Sequence, residues 1–329
     1  MPNIAKSGLD VFPLCLGGNV FGWTADEAQS FAVLDAYLDA GGNFVDTADA
    51  YSAWVPGHKG GESEEILGRW MKHRECRNRI VVATKVGKLP SLRGLSAKTI
   101  EAAAEASLKR LATDRIDLYY AHADDEKTPL VETLTAFDAL VKSGKVSAVA
   151  ASNYSAKRFA EALAIQEKNG LARFVAVQDH HNLVHRSTYE GELAELCTRE
   201  GLAFLPYYAL AQGFLAGKYR AGAAVGGRPG AYPAREATRG DAPAPSPRSA
   251  GAQKYLDPRG LRVLAAVDAV AAAHATTAAA VSLAWLLAQR NVVAPIASAR
   301  TPAQLAELLP MVSLRLTPEE LARLTAAGK

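Results

Sequence analysis

Four side chains able to take part in proton transfer follow three apolar, strand-like runs of the sequence. Asp46 and Tyr51 come after the first of these runs, Lys85 ends the second and His122 ends the third. In a parallel barrel, the residues just past the carboxyl ends of the strands meet at one mouth, where catalysis takes place. We therefore expect a carboxylate, a phenol, an ammonium and an imidazole to lie together.

Together these groups could deliver a proton to a carbonyl oxygen. A phenol is a poor acid at neutral pH because its reference pKa is about 10. A nearby ammonium such as that of Lys85 favours the phenolate, so we expect it to lower the pKa of Tyr51. Asp46 would hold Lys85 in its charged form, and His122 could orient the carbonyl oxygen. The set indicates carbonyl reduction, whereas Lys85 considered alone also suits Schiff-base chemistry.

Short apolar runs alternate along the chain with segments of helical periodicity. The predicted strands span residues 14–17, 44–47, 80–85, 116–122, 146–152, 174–178, 203–207 and 292–297. The predicted helices span residues 26–40, 62–72, 97–111, 129–143, 156–168, 188–199, 261–273 and 277–289, and a further helix begins near Pro302. Eight such repeats indicate an α/β protein whose parallel sheet closes into a single-domain (β/α)8 TIM barrel. A doubly wound open sheet is disfavoured because residues 17–22 lack the G-x-G-x-x-G fingerprint.

The composition is that of a globular protein without a polyanionic partner. Of the 329 residues, 49% are hydrophobic, which is enough for a large core, and the net charge of +3 gives no reason to expect nucleic acid or a membrane surface. Three widely spaced cysteines indicate reduced thiols, and the N-terminus lacks the features of a signal peptide. The apolar stretch 261–287 predicts two amphipathic helices rather than a membrane span, because Thr276 and Thr277 offer a helix cap. We expect a cytoplasmic protein, and the sequence leaves its oligomeric state open.

A series of motifs extends the pattern over most of the chain. They are Asp46-Thr-Ala-Asp-Ala-Tyr51, Gly61-Glu-Ser-Glu-Glu-Ile-Leu-Gly68, Ala83-Thr-Lys85, His122, Ser152-Asn153, Gln178, the run 207–218 and the run 298–304. In this order they resemble the aldo-keto reductases, from about residue 14 to about residue 309. The chain is similar to bacterial members of that family, of the aryl-alcohol dehydrogenase and potassium-channel β-subunit types. Each motif alone is weak, but the ordered set is specific.

The resemblance implies a reductase that uses NADPH and a small-molecule carbonyl substrate, with Tyr51 as general acid and no metal. By this resemblance, the residues that end the fifth and sixth strands bind the nicotinamide carboxamide, and a tyrosine that ends the seventh strand stacks on the nicotinamide ring. The loop that follows the seventh strand binds the pyrophosphate. The segment after the last strand binds the 2′-phosphate of NADPH. The cofactor-binding residues implied in this way are Ser152, Asn153, Gln178, Tyr207, Leu210, Gln212, Gly213, Lys218, Ser298, Arg300 and Gln304. Trp23 and Trp54 would border the substrate pocket, which suits an apolar or aromatic carbonyl compound.

Three residues, at two places in the chain, depart from the family pattern. Tyr208 and Ala209 stand where the family commonly has Ser-Pro, which affects the backbone of the loop after the seventh strand. Leu308 stands where an asparagine often contacts adenine, and it leaves Glu307 as the nearby polar side chain.

Two further segments have competing interpretations. Residues 220–259 are rich in Gly and Pro and lack periodicity, so they form either a flexible lid over the cofactor or a tolerated surface insertion. His180, His181 and His185 are close together but lack the spacing of a metal site, which favours a polar loop after the sixth strand.

Two other functions remain open on the sequence. Potassium-channel β subunits are similar barrels that bind NADP while regulating a partner, so an accessory subunit is one alternative. A lyase that forms a Schiff base on Lys85 is the other.

Overall fold

The chain folds around eight parallel strands, as seen in a computed structural model that describes residues 1–219 and 249–329. The strands are β1 (Cys15–Gly17), β2 (Phe44–Asp46), β3 (Val81–Val86), β4 (Ile116–Ala121), β5 (Val146–Ser152), β6 (Phe174–Gln178), β7 (Ala203–Phe204) and β8 (Ile296–Ala297). Their order in the sheet is β7-β6-β5-β4-β3-β2-β1-β8, and all pairs are parallel.

Backbone hydrogen bonds between β7 and the segment that leads into β8 close this sheet. The Phe204 N–H donates to the Asn291 carbonyl at 2.7 Å, and the Val293 N–H donates back to the Phe204 carbonyl at 3.1 Å. The Ile296 N–H then donates to the Pro206 carbonyl at 2.9 Å. The predicted (β/α)8 barrel is therefore confirmed, and the open doubly wound sheet is excluded because its edge strands would not meet.

Helices follow the strands around the outside of the barrel. In chain order they are α1 (Glu27–Asp39), α2 (Glu62–His73), α3 (Ala97–Leu111), α4 (Leu130–Lys142), α5 (Ala156–Asn169), α6 (Glu192–Glu200), α7 (Ser249–Gln253), α8 (Pro258–Ala273), α9 (Ala278–Leu287), α10 (Pro302–Leu308) and α11 (Pro318–Ala327). Side-chain caps start many of them: Asp26 accepts from the N–H of Gln29, and Ser96 from that of Thr99. Such caps satisfy N–H groups that have no partner within the helix.

The helices differ from the sequence predictions at three places. α6 begins at Glu192 rather than at residue 188, because Gly191 holds a φ of 101° that breaks the helical path just before it. α11 was not anticipated, although Thr317 and Glu320 form a capping box at its start. The segment 220–259, expected to be either a lid or a surface insertion, lies outside the described residues from 220 to 248, and α7 begins at Ser249.

The apolar stretch 261–287 forms two helices, α8 and α9, as expected, but α9 is not amphipathic. All residues of α9 from Ala279 to Leu286 are buried, so the prediction of an amphipathic helix is wrong there; α9 is surrounded by protein. No single helix in the part of the chain that the structure describes is long and apolar enough to cross a membrane. α8 and α9 have that length and composition only as a pair, and they are bent by 99°.

Alternate residues of each strand face the barrel interior and the layer beneath the helices. In β4, Leu118 and Tyr120 belong to the interior cluster, whereas Tyr119 packs with the outer layer. The interior is packed with side chains, as in other barrels of this kind, so both faces of the strands are buried. Small residues fill much of it: Ala83, Ala148, Ala150, Ala176 and Ala203.

Candidate active site

The alternation of side chains along the strands brings the predicted catalytic residues to the carboxyl end of the barrel interior. Three of them each follow an interior residue by two positions, namely Asp46 after Phe44, Lys85 after Ala83 and His122 after Tyr120. Residues two apart on a strand share a face, so these side chains continue the interior column upward. Tyr51 reaches the same point from the loop after β2.

Lys85 lies at the centre of the cluster and is fully buried. Its Nζ donates to Asp46 Oδ2 at 2.6 Å, to the Thr47 carbonyl at 2.7 Å and to the Tyr51 hydroxyl at 2.9 Å. An ammonium has three protons to donate, and here each has an acceptor. The structure thus brings the carboxylate, the ammonium and the phenol into direct contact.

Asp46 receives hydrogen bonds on both oxygens. The Tyr51 hydroxyl donates to Oδ2 at 3.1 Å, and Gln178 Nε2 donates to Oδ1 at 2.9 Å. A buried carboxylate needs such partners, because an unpaired charge away from water is costly. Gln178, predicted as a nicotinamide ligand, therefore also holds in place the Asp46 carboxylate that pairs with Lys85.

The pKa of Tyr51 shifts in the direction opposite to the one predicted. Burial raises it well above the usual value, and the Asp46 carboxylate beside the hydroxyl raises it further. The sequence indicated the contact with Lys85 but not the burial of the ring or the second contact with Asp46. The consequence is a phenol that keeps its proton at neutral pH.

His122 lies beside Tyr51, with 6.1 Å between the two ring centroids. Burial, with help from the positive charges of Lys85 and Lys88, lowers the pKa of His122 well below its usual value. The ring is therefore a neutral imidazole with one N–H to donate. Asn153 Nδ2 anchors its main chain by donating to the His122 carbonyl at 2.8 Å.

A cavity of about 380 Å³ opens above these residues. Among the predicted site residues, its lining contains Asp46, Tyr51, His122, Ser152, Asn153, Gln178, Tyr207, Leu210, Gln212, Gly213, Lys218, Ser298, Arg300, Gln304 and Trp54. Lys85 lies beneath, covered by Tyr51. Trp23 is not part of the lining; it packs edge-on against Trp54, with ring centroids 5.4 Å apart. Leu308, which replaces the family's adenine-contacting asparagine, and the neighbouring Glu307 also line the cavity.

Tyr207 presents a braced aromatic ring to the cavity. Its hydroxyl donates to Asn153 Oδ1 at 2.7 Å. His180 stacks on it at 5.6 Å, and His185 stacks on His180 at 3.7 Å with the planes only 6° apart. Burial lowers the pKa of His180 to about 3, so these stacked rings carry no charge at neutral pH. The expected polar loop after β6 is in fact the support of this tyrosine.

The cavity also has features that suit an extended anionic ligand. A Cβ on Gly17 would come within 2.6 Å of Ser298 Oγ, so glycine at this position lets the Ser298 side chain pack against β1 at the cavity wall. Gln212 and Gly213 have φ values of 58° and 97°, which turn the backbone of the loop sharply along the cavity. Arg300 lines the wall, and its guanidinium has no hydrogen bond or ion pair with any described residue. These residues fit a dinucleotide with a phosphate near Arg300.

Two further lining residues escaped the sequence analysis. Asn19 Oδ1 accepts a hydrogen bond from Ser298 Oγ at 2.7 Å and so links the loop after β1 to the segment after β8. Lys88 lies two residues past the end of β3 and faces the cavity on the side of Tyr51 and His122. A polar residue closely following a strand end is the signal that could have found both.

A second layer of charged groups lies behind the cluster. Glu64 is fully buried and accepts from Thr84 Oγ1 at 2.5 Å and from Arg110 Nε at 2.6 Å. Both carboxylate oxygens of Asp49 are buried without a hydrogen-bond partner among residues 1–219 and 249–329. Burial, followed by the negative charge of Glu64, raises the pKa of Asp49 to about 7.

Comparison with known proteins points to one family. The sequence profile of the aldo/keto reductase family matches residues 13–329. An uncharacterized oxidoreductase of Bacillus subtilis (strain 168) is 34% identical over 98% of this chain and 93% of its own. An aryl-alcohol dehydrogenase of Pestalotiopsis microspora is 30% identical over 96% of this chain and 78% of its own. A probable voltage-gated potassium channel subunit beta of Oryza sativa subsp. japonica is also 30% identical, over 98% and 95%.

The chain therefore belongs to the aldo/keto reductase family, and the predicted family is confirmed. It is an oxidoreductase, of a family that generally uses a nicotinamide cofactor.

Proposed function

We propose that this protein reduces an aldehyde or ketone to the alcohol with NADPH, and that Tyr51 is the general acid. The observation that carries the proposal is the contact of Tyr51 with Lys85 at 2.9 Å beneath a cavity that His122 also lines. A phenol that keeps its proton until the reaction, next to an ammonium, can give up that proton as negative charge develops on the substrate oxygen.

Each residue of the cluster has its own role in the proposed reaction. NADPH, when bound, supplies the hydride that reaches the carbonyl carbon. The hydroxyl of Tyr51 turns from Asp46 to the carbonyl oxygen and transfers its proton, and Lys85 stabilises the phenolate that remains. His122, being neutral, donates its N–H to the same oxygen and holds it in place. Asp46 keeps Lys85 charged throughout.

The preference for NADPH over NADH rests on Arg300 and its neighbours. A guanidinium forks onto phosphate oxygens, and that of Arg300 has no competing partner among the described residues. Ser298 and Gln304 flank it in the cavity wall. Gly213 and Lys218 would hold the pyrophosphate, and the braced ring of Tyr207 would cover the nicotinamide.

The environment of Lys85 weighs against the Schiff-base alternative. A nucleophilic lysine must be a neutral amine with a free lone pair. Here all three Nζ protons are donated, and the side chain is fully buried below Tyr51. Borohydride trapping with an aldehyde should give no adduct on Lys85.

The first test is fluorescence titration of the purified protein with NADPH and with NADH, followed by assays with benzaldehyde and its derivatives. Tight binding that favours NADPH, together with multiple-turnover oxidation of NADPH by an aldehyde, would support the proposal. Failure of both nucleotides to bind would overturn it.

One relative favours a second candidate, an NADP-binding accessory subunit. The channel subunit beta of rice matches this chain over 95% of its own length. This alternative expects NADPH to bind while no carbonyl compound is turned over, and it expects a membrane protein to co-purify. Rapid multiple turnover of small aldehydes would count against it.

A further inference from the structure

Lys88 is a cation in the substrate end of the cavity that none of the proposed catalytic steps uses. It follows β3 in the loop that starts just past Lys85, and it lines the wall together with Tyr51, Trp54 and His122. Its ammonium makes no hydrogen bond and no ion pair with any residue in the described part of the chain. A lysine without a partner beside a reaction site is available to a ligand.

The charges around Lys88 leave it without a direct counterion. Partial burial and the positive charge of Lys85 lower its pKa, and the Asp179 carboxylate acts in the opposite direction. Asp179, however, accepts a hydrogen bond from the His180 N–H at 2.6 Å, and burial raises its pKa to about 6. Asp179 therefore acts on the pKa of Lys88 only through its charge and accepts no hydrogen bond from the Lys88 ammonium.

The same end of the cavity has exposed aromatic faces. Trp54 is 50% exposed although it lies edge-on to Tyr51, with ring centroids 6.1 Å apart. Tyr208 also lines the cavity and is 44% exposed. Large aromatic side chains left open at a pocket suit a flat aromatic ligand, since offset or edge contacts between rings are favourable.

We propose that the substrates of this protein are aryl aldehydes or ketones that carry a carboxylate, and that Lys88 binds this carboxylate. The inference rests on the proposed carbonyl reduction and adds the class of substrate to it. With the carbonyl oxygen between Tyr51 and His122 and the ring against Trp54, an anionic substituent on the ring faces Lys88. A charge-assisted hydrogen bond from Lys88 then favours the acid over its neutral ester.

Two pairs of compounds test this proposal: 3-formylbenzoate and 4-formylbenzoate, each against its methyl ester. The quantity measured is the ratio of kcat/KM for the acid to kcat/KM for the ester. Comparison of this ratio between variants cancels the electronic difference between acid and ester. The variants are Lys88→Gln, which removes the charge, and Lys88→Arg, which keeps it. Lys59→Gln removes an exposed lysine from the loop after β2 and is the matched control.

We expect the ratio for at least one pair to fall by roughly three- to tenfold in Lys88→Gln, in the range of a partly solvated charge interaction. Lys88→Arg should retain most of it, and Lys59→Gln should equal the wild type. In the wild type, added salt should lower the ratio, because ions screen an exposed charge pair. Equal ratios in the wild type and Lys88→Gln for both pairs would overturn the proposal.

A binding measurement separates this inference from the proposed function. 3-Formylbenzoate and 4-formylbenzoate are each titrated against the complex with NADP+, with quenching of tryptophan fluorescence as the signal, since Trp54 lines the site. If no aldehyde is reduced, the proposed function fails, but weaker binding of the acid to Lys88→Gln than to the wild type still supports a carboxylate site. Equal binding of both acids to the wild type and to Lys88→Gln would exclude it.

Discussion

The ammonium of Lys85 donates to the hydroxyl of Tyr51 at 2.9 Å from a position that solvent does not reach. The hydrogen bond from the Lys85 ammonium favours the ionised form of the Tyr51 phenol, whereas burial and the Asp46 carboxylate raise its pKa and keep it protonated. These opposing influences suit a group that must hold a proton before the reaction and release it during the reaction. Asp46 is the link between them, because it contacts both side chains.

Tyr51→Phe should lose nearly all carbonyl reduction, by roughly 10²- to 10⁴-fold in kcat, because it removes the proton donor and keeps the aromatic ring. The dissociation constant for NADPH should stay close to that of the wild type. Steady-state rates and fluorescence titration measure the two effects separately. Tyr189→Phe is the control, since this tyrosine lies outside the cavity, where its hydroxyl donates to the Arg290 carbonyl and accepts from Asn291 Nδ2. Near-normal kcat in Tyr51→Phe would remove Tyr51 from the role of acid.

The pH dependence of reduction should be flat between about pH 6 and pH 9. The pKa of His122 lies well below its usual value and that of Tyr51 well above, so neither group changes charge in this interval. The proposed reduction uses a neutral imidazole and a protonated phenol, and we expect both to persist throughout this interval. Oxidation of the alcohol needs the phenolate, so its rate should rise with pH. Initial rates in both directions measure this, and a loss of reductase activity on acidification near the usual pKa of a histidine would contradict it.

Arg300→Ala should weaken the binding of NADPH far more than the binding of NADH, by roughly tenfold or more, because only NADPH has a 2′-phosphate for the guanidinium. The control is Arg290→Ala, an exposed arginine that precedes β8 and lies outside the cavity. Fluorescence titration of both variants with both nucleotides gives the comparison. An equal loss for NADPH and NADH in Arg300→Ala would exclude Arg300 from the phosphate site.

The barrel could be predicted from the sequence because its signals are local. β5 and β6 have the predicted bounds, as does α3, since each is a continuous apolar or periodic segment with clear ends. α6 was predicted to start too early because the unusual φ of Gly191 is a property of the folded loop. Asp46 and Lys85 were located by their place at strand ends, which a parallel barrel converts into proximity.

The charges and contacts within the site were less predictable. The direction of the Tyr51 pKa shift depends on the burial of the ring and on a second contact with Asp46, and neither follows from spacing along the chain. Lys88 was missed because the direction of a loop side chain depends on the tertiary fold. The stack of His180 and His185 behind Tyr207 joins two loops that only the closed barrel brings together.

Asp49→Asn should stabilise the protein more at pH 7.5 than at pH 5. Burial raises the pKa of Asp49 to about 7 in the folded protein, from its ordinary value of 3.8. Between these values the folded state binds more protons at this site than the unfolded state, so the free energy of unfolding falls as pH rises through the window. The slope is at most about 1.4 kcal/mol per pH unit. Asparagine does not titrate, so the advantage of the variant should grow across the same interval.

Thermal unfolding at the two pH values, followed by circular dichroism, measures this difference as a change in Tm between variant and wild type. Asp39→Asn, which removes an exposed carboxylate from the end of α1, is the control for a general effect of charge. Because asparagine has the same size and occupies the same pocket, any cost of its unpaired amide is the same at both pH values and cancels. A Tm difference that stays constant with pH would show that Asp49 is ionised in the folded state, and that a partner such as Arg110 compensates for its burial.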